Sequence, residues 1–111
     1  MSTVDQLLQH AIDGLPDRQF SVKRVHYAPG EVDVAHHHTA PLVAYVLSGA
    51  LRSRVGDAPE RVYHAGESFY EAANEVHHVS ANASTTEPVT FIVVFVAPRD
   101  ATLTVPASGI L

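Results

Sequence analysis

The chain contains no cysteine among its 111 residues. Disulfides, zinc–thiolate sites, iron–sulfur clusters and thiol nucleophiles are thereby excluded, and the core must carry its own stability. Charge is sparse too: 17% of residues are charged, and twelve acids against seven bases leave a net charge of -5. A chain this acidic has no electrostatic footprint for a nucleic-acid backbone, so no nucleic-acid partner is expected. Long apolar runs are missing. The longest, Phe91 to Ala97, has seven residues, where a membrane-spanning helix needs about 20. The opening stretch MSTVDQLLQH is polar and acidic and has no apolar segment of the kind a secretory signal carries. A cytoplasmic protein with no membrane partner is expected.

What remains is a 12.0 kDa chain that is 46% apolar, enough for one domain with a real core, taken as residues 1–111. Val4, Leu7, Leu8, Ala11 and Ile12 fall at helical spacing ahead of Gly14 and Pro16, which predicts a short amphipathic helix over 3–13. Beyond it Val, Tyr, Phe and Thr recur in short segments cut by turn residues such as Pro29-Gly30, Ser48-Gly49 and Ala65-Gly66. The pattern predicts strands at 20–27, 31–38, 42–48, 50–55, 60–64, 67–71, 76–82, 89–97 and 101–105. With no helices between them, these strands suit an all-β antiparallel barrel or sandwich spanning about 20–105. In Leu51-Arg-Ser-Arg-Val55 the alternation places Leu51, Ser53 and Val55 on one face and Arg52 and Arg54 on a solvated one. The stretch 91–97 is apolar on both faces, as a central or interface strand would be, and a homodimer is the expected assembly.

Eight histidines are present, and imidazole is both a common metal ligand and the ordinary near-neutral proton carrier. His36, His37 and His38 are consecutive. On a strand His36 and His38 share a face, close enough to hold one ion, while His37 turns away. A third ligand must come from the adjacent pair His77-His78, of which one can face inward. His10, His26 and His64 read as surface or packing residues.

These residues sit in a recognisable pattern. Gly30 is followed after five residues by His36-x-His38 and later by Tyr45-Val-Leu-Ser-Gly49; Gly66, five residues, Ala72-Ala73-Asn74, two residues and His77 follow. The arrangement resembles the two motifs of the cupin superfamily, small jelly-roll β-barrels, over roughly residues 20 to 97. The resemblance implies a mononuclear site of His36, His38 and His77. Several positions depart from it. Ala72 stands where the motif has Pro, and Asn74 where it has Gly, a replacement that Asn tolerates because it enters the left-handed region more readily than most residues. Asn82 comes one residue later than the motif's Asn counted from His77. The motif's carboxylate position is Leu42, and no acidic residue lies between Asp33 and Asp57.

A three-histidine site lacking that carboxylate leaves a divalent ion its full charge and favours anionic, chelating ligands. Imidazole suits Fe, Zn, Ni and Cu, and the missing Glu moves preference away from Mn. Iron is the first expectation, and the site then resembles the three-histidine cupin dioxygenases acting on small anionic or enolisable substrates. Glu71 is a candidate to orient a ligand or a metal-bound water, and Tyr45 a candidate hydrogen-bond donor to substrate. Phe69, Phe91 and Phe95 either wall the pocket or fill the core. Two other functions fit the same barrel: a non-catalytic small-molecule binder or sensor, and a metal-free sugar isomerase or epimerase with His38 or His77 as base.

Overall fold

Strands alone make up the regular structure from Thr3 to Pro106. The coordinates are a computed structural model, and residues 2–106 are described. In chain order the strands are β1 (Thr3–Ile12), β2 (Leu15–Tyr27), β3 (His36–His38), β4 (Leu42–Ser48), β5 (Ala50–Val55), β6 (Arg61–His64), β7 (Ser68–Glu71), β8 (Val76–Asn82), β9 (Val89–Pro98) and β10 (Thr104–Pro106). They form two five-stranded antiparallel sheets, ordered β1-β2-β9-β4-β7 and β10-β3-β8-β5-β6. No helix among the described residues is long and apolar enough to cross a membrane.

Period-two alternation decides which side chains meet between the sheets. Along β9, Val89, Phe91, Val93, Phe95 and Ala97 are buried while the residues between them are half-buried. Along β4, Leu42, Ala44 and Val46 turn inward. Tyr27 joins them, its ring edge-on to Phe91 at 5.4 Å. Each large apolar side chain fully buried in this way contributes about 1.5–3 kcal/mol. In β5, Leu51 and Ser53 are buried and Arg52 points outward to pair with Glu60 at 3.4 Å, as the alternation predicts.

The strands at 42–48, 50–55 and 76–82 coincide with the sequence expectation, the expected 101–105 is Thr104–Pro106, the expected 20–27 begins at Leu15, and two further segments differ more. The expected helix over 3–13 is instead β1, paired along its length with β2. Asp13-Gly14 closes the hairpin between the paired residues Ile12 and Leu15, with Gly14 at φ 81°. That dipeptide is a two-residue hairpin signal, and a lone helix of that length is marginal without packing, so pairing wins over helical spacing. The expected strand 31–38 shortens to His36–His38, because Gly30 starts a turn and Val32 makes only an isolated bridge, to Ala81.

Two motif departures have clear physical consequences. Asn74 adopts φ 67°, the left-handed conformation expected of it. Buried Asn82 donates through Nδ2 to the carbonyls of Ala28 (3.1 Å) and Glu87 (2.7 Å) and accepts from the Ser84 amide (2.9 Å), tying together the loops that follow β2 and β8.

Gly49 separates β4 from β5 at φ 77°, and a Cβ there would collide with the carbonyl oxygen of Pro88. Gly30 has a similar φ of 74° with nothing within 4 Å. Gly30→Ala is therefore expected to cost only backbone strain, about 1–3 kcal/mol. Gly49→Ala is expected to cost clearly more, because backbone must move as well. Urea midpoints of the two variants check the order.

Candidate metal centre

The β3–β8 pairing sets His36 directly opposite His77, and directly opposed side chains share a face with Cβ atoms about 4.5–5.5 Å apart. His38 lies two residues along β3 on that face. The ring centroids of His36 and His38 are 4.8 Å apart, and those of His36 and His77 are 5.0 Å apart. One ring nitrogen from each of the three lies within 4.8 Å of the others. Adjacent donors to one ion with bonds near 2.1 Å stand about 3.0–3.4 Å apart, so the rings must turn inward for all three to share an ion.

Hydrogen bonds select which nitrogens are left over. His36 Nδ1 donates to the Val34 carbonyl at 2.8 Å, and His38 Nδ1 to the Leu103 carbonyl at 3.2 Å, with Thr104 Oγ1 3.0 Å away. A donor role for Nδ1 leaves Nε2 as a lone-pair donor on both rings. His77 is held the other way round, its Nε2 2.8 Å from Ser53 Oγ, so that Nδ1 is uncommitted. Opposite these rings, on β7 of the other sheet, stands Glu71, with 1% of its surface exposed. Its Oε2 lies 3.4 Å from His77 Nδ1.

Electrostatics favour a neutral His38 ring. Burial is the main cause that pushes His38 down to about 4. The Glu71 charge opposes that shift, and neighbouring His36 and His77 add to it. Both Glu71 oxygens and His77 Nδ1 are buried without a hydrogen-bond partner, whereas buried polar groups are normally paired. Three imidazole donors beside unpartnered buried lone pairs fit a divalent transition metal.

These groups line a cavity of about 120 Å³ between the sheets. Phe69, Phe91 and Phe95 wall it, and two of them, Phe91 and Phe95, are core residues as well. Tyr45 is not there. It lies on the outer face of β4, 46% exposed, because Leu42, Ala44 and Val46 take the inward positions; the expected contact to substrate is corrected accordingly. His78 is exposed and His77 buried, as the spacing from Gly66 implies. His10 and His64 are exposed, and half-buried His26 meets Thr90 Oγ1 at 3.0 Å.

Sequence reasoning missed two polar lining residues on β2, Lys23 and Tyr27. Lys23 Nζ lies 5.6 Å from the centre of the Phe95 ring. The buried Tyr27 hydroxyl meets Ser80 Oγ at 2.9 Å and donates to Asp33 Oδ2 at 3.3 Å; burial pushes this phenol well above its ordinary range. The alternation Ser21, Lys23, Val25, Tyr27 along β2 was the available signal.

The family model of the cupin domain matches residues 23–95. No curated protein matches the chain. Among solved structures, oxalate oxidase in complex with the substrate analogue glycolate superposes with a TM-score of 0.72 at 23% identity, covering 96% of this chain and 55% of that one. A DMSP lyase from Ruegeria pomeroyi gives 0.71 at 16%, covering 82% and 44%. A conserved protein with a double-stranded β-helix domain from Klebsiella pneumoniae gives 0.71 at 20%, covering 94% and 84%. The chain thus spans about half the length of the oxidase and the lyase, and at these identities the likeness is one of fold.

The depressed His38 ring makes a prediction for the metal-free protein. The unfolded chain takes up a proton at this residue below its ordinary 6.5, and the folded chain only below about 4. The unfolded state therefore binds more protons in that window, and stability should fall as pH drops from about 6.5 to about 4. Urea midpoints against pH should show this slope, and His38→Gln should flatten it.

Proposed function

The chain is a member of the cupin family, and from that premise we propose that it is a mononuclear metal-dependent enzyme of the dioxygenase type acting on a small anionic or enolisable substrate. The observation that carries this reading is the convergence of three imidazoles with uncommitted nitrogens on one cavity between the sheets. His36, His38 and His77 would hold the ion, iron first, with Zn, Ni or Cu as alternatives. When bound, such an ion supplies a Lewis-acidic centre with open positions for substrate and, in the case of iron, for O2.

The other residues act on the substrate. Lys23 is the one Lys or Arg side chain lining the cavity among the described residues, and an ammonium there favours an anionic group. Tyr27 is held as a neutral phenol by burial, with the neighbouring Asp33 carboxylate adding to the effect. A cavity of about 120 Å³ suits a small molecule, and Phe69, Phe91 and Phe95 keep it apolar, which strengthens each polar contact inside.

A homodimer belongs to the same reading. The outer face of the β1-β2-β9-β4-β7 sheet is apolar where a monomer's would be polar: Phe20, Val43, Tyr70, Val94 and Val96 line a shallow depression of about 350 Å³. A second copy of the same face would cover it, as a two-fold interface requires self-complementarity.

Purified protein is expected to carry about one transition-metal ion per chain, and His36→Ala and His77→Ala to lower the affinity by more than about 100-fold. Unchanged metal content in both variants would end the proposal. The iron-loaded protein should consume oxygen with one class among β-diketones, catechols and flavonols. No uptake with any of them would leave a binding role. For the assembly, sedimentation should give twice the chain mass, and Val94→Arg should give monomers that keep their metal; a monomeric wild type rules the dimer out.

A further inference from the structure

We infer that Glu71 is the anionic ligand of this centre, supplied from β7 in place of the carboxylate that Leu42 excludes from β4. The inference rests on the metal-binding reading above and adds a fourth protein ligand to it.

Strand register is the first argument. In the β4–β7 pair, Leu42 lies directly opposite Glu71. Opposed residues of an antiparallel pair project from the same face, side by side. Both are inward, Leu42 3% and Glu71 1% exposed, while the next residue, Tyr70, faces outward at 64%. A carboxylate on either strand therefore reaches the same part of the cavity. The acidic residue absent from the stretch between Asp33 and Asp57 reappears one strand away.

Burial without a partner is the second. Neither Glu71 oxygen has a hydrogen-bond partner, and both are shielded from solvent. Taking a carboxylate out of water is costly unless a cation or donors meet it. Lys23, the cavity's ammonium, lies over the face of Phe95, and Glu71 itself stands beside His77.

The third argument is a distance. Glu71 Oε2 and His77 Nδ1 are 3.4 Å apart. A charge-assisted hydrogen bond would be about 2.7–2.9 Å, and His77 Nδ1 has no hydrogen-bond partner. With metal–ligand bonds of about 2.0–2.2 Å, adjacent ligands stand about 3 Å apart. The pair has the spacing of two lone-pair donors to one ion and exceeds that of a donor and its acceptor.

A carboxylate in the set changes which metals the site accepts. Three imidazoles alone disfavour Mn(II), whereas a carboxylate suits it and halves the net charge of the loaded centre. Mn(II) binding is then the sensitive readout. By competition titration, Glu71→Gln, which keeps shape and removes charge, is expected to weaken Mn(II) at least about 10-fold and Zn(II) by less. Glu71→Leu should do the same, and the exchange variant Leu42→Glu/Glu71→Leu should recover most of the Mn(II) affinity. In the wild type, Mn(II) addition should shift a carboxylate stretch in the infrared difference spectrum, a measurement that needs no variant to fold. Mn(II) affinity of Glu71→Gln within twofold of wild type, an exchange variant no tighter than Glu71→Leu, or an unshifted carboxylate band overturns the inference. If His77→Ala still abolishes binding in that case, the three-histidine reading stands without Glu71. Wild-type protein that binds no ion overturns both.

Discussion

Two backbone pairings, His36 opposite His77 and His37 opposite Val76, join β3 to β8, and the rest of the site hangs on them. A strand of three residues has little pairing energy of its own. It is held because β10 pairs on its other edge, where His38 lies opposite Thr104. The pleat then leaves no choice: with His36 inward, His38 follows and His37 does not. A slip of one residue would turn His36 and His38 to the outside together. The register of one short strand thus sets the position of two of the three imidazoles, and its partner strand sets the third.

The barrel accommodates a polar cluster that contributes little to stability. His36, Glu71 and His77 are buried, and desolvating them costs free energy that water would otherwise supply. The apolar layer of Val46, Leu51, Val89, Phe91 and Phe95 offsets it. The two kinds of residue are segregated. Phe95 meets His38 edge-on at 5.2 Å and Phe69 meets His77 edge-on at 6.2 Å, so the aromatic rings form the boundary between packed core and cavity. Such placement keeps His38 in a dry environment, where its neutral ring is favoured.

Local spacing was a good guide wherever the signal was strictly alternating. β4 and the first part of β5 were readable to the residue because buried positions recur there with period two. The histidine set was readable for the same reason, and Asn74 because its conformational freedom is a property of the residue itself. The N-terminal segment was not, since Val4, Leu7, Leu8 and Ile12 fit a helix as well as a bulged strand. The bulge between Gln6 and Leu8 shifts the alternation and imitates helical spacing. Tyr45 was misplaced because a tyrosine suits either face of a strand, and only the inward neighbours Ala44 and Val46 decide it.

Residue chemistry and periodicity alone determined that this chain is all-β over most of its length, that thiol chemistry is impossible, and that two stretches of histidine would bring their imidazoles together. Those are properties of single residues and of near neighbours, which a one-dimensional pattern records. The tertiary structure alone decided that Glu71 lies opposite Leu42, that Lys23 and Tyr27 enter the cavity, and that the first segment is a strand. Each of these depends on which strands become neighbours across dozens of residues, and strand pairing is settled by the packing of the whole sheet.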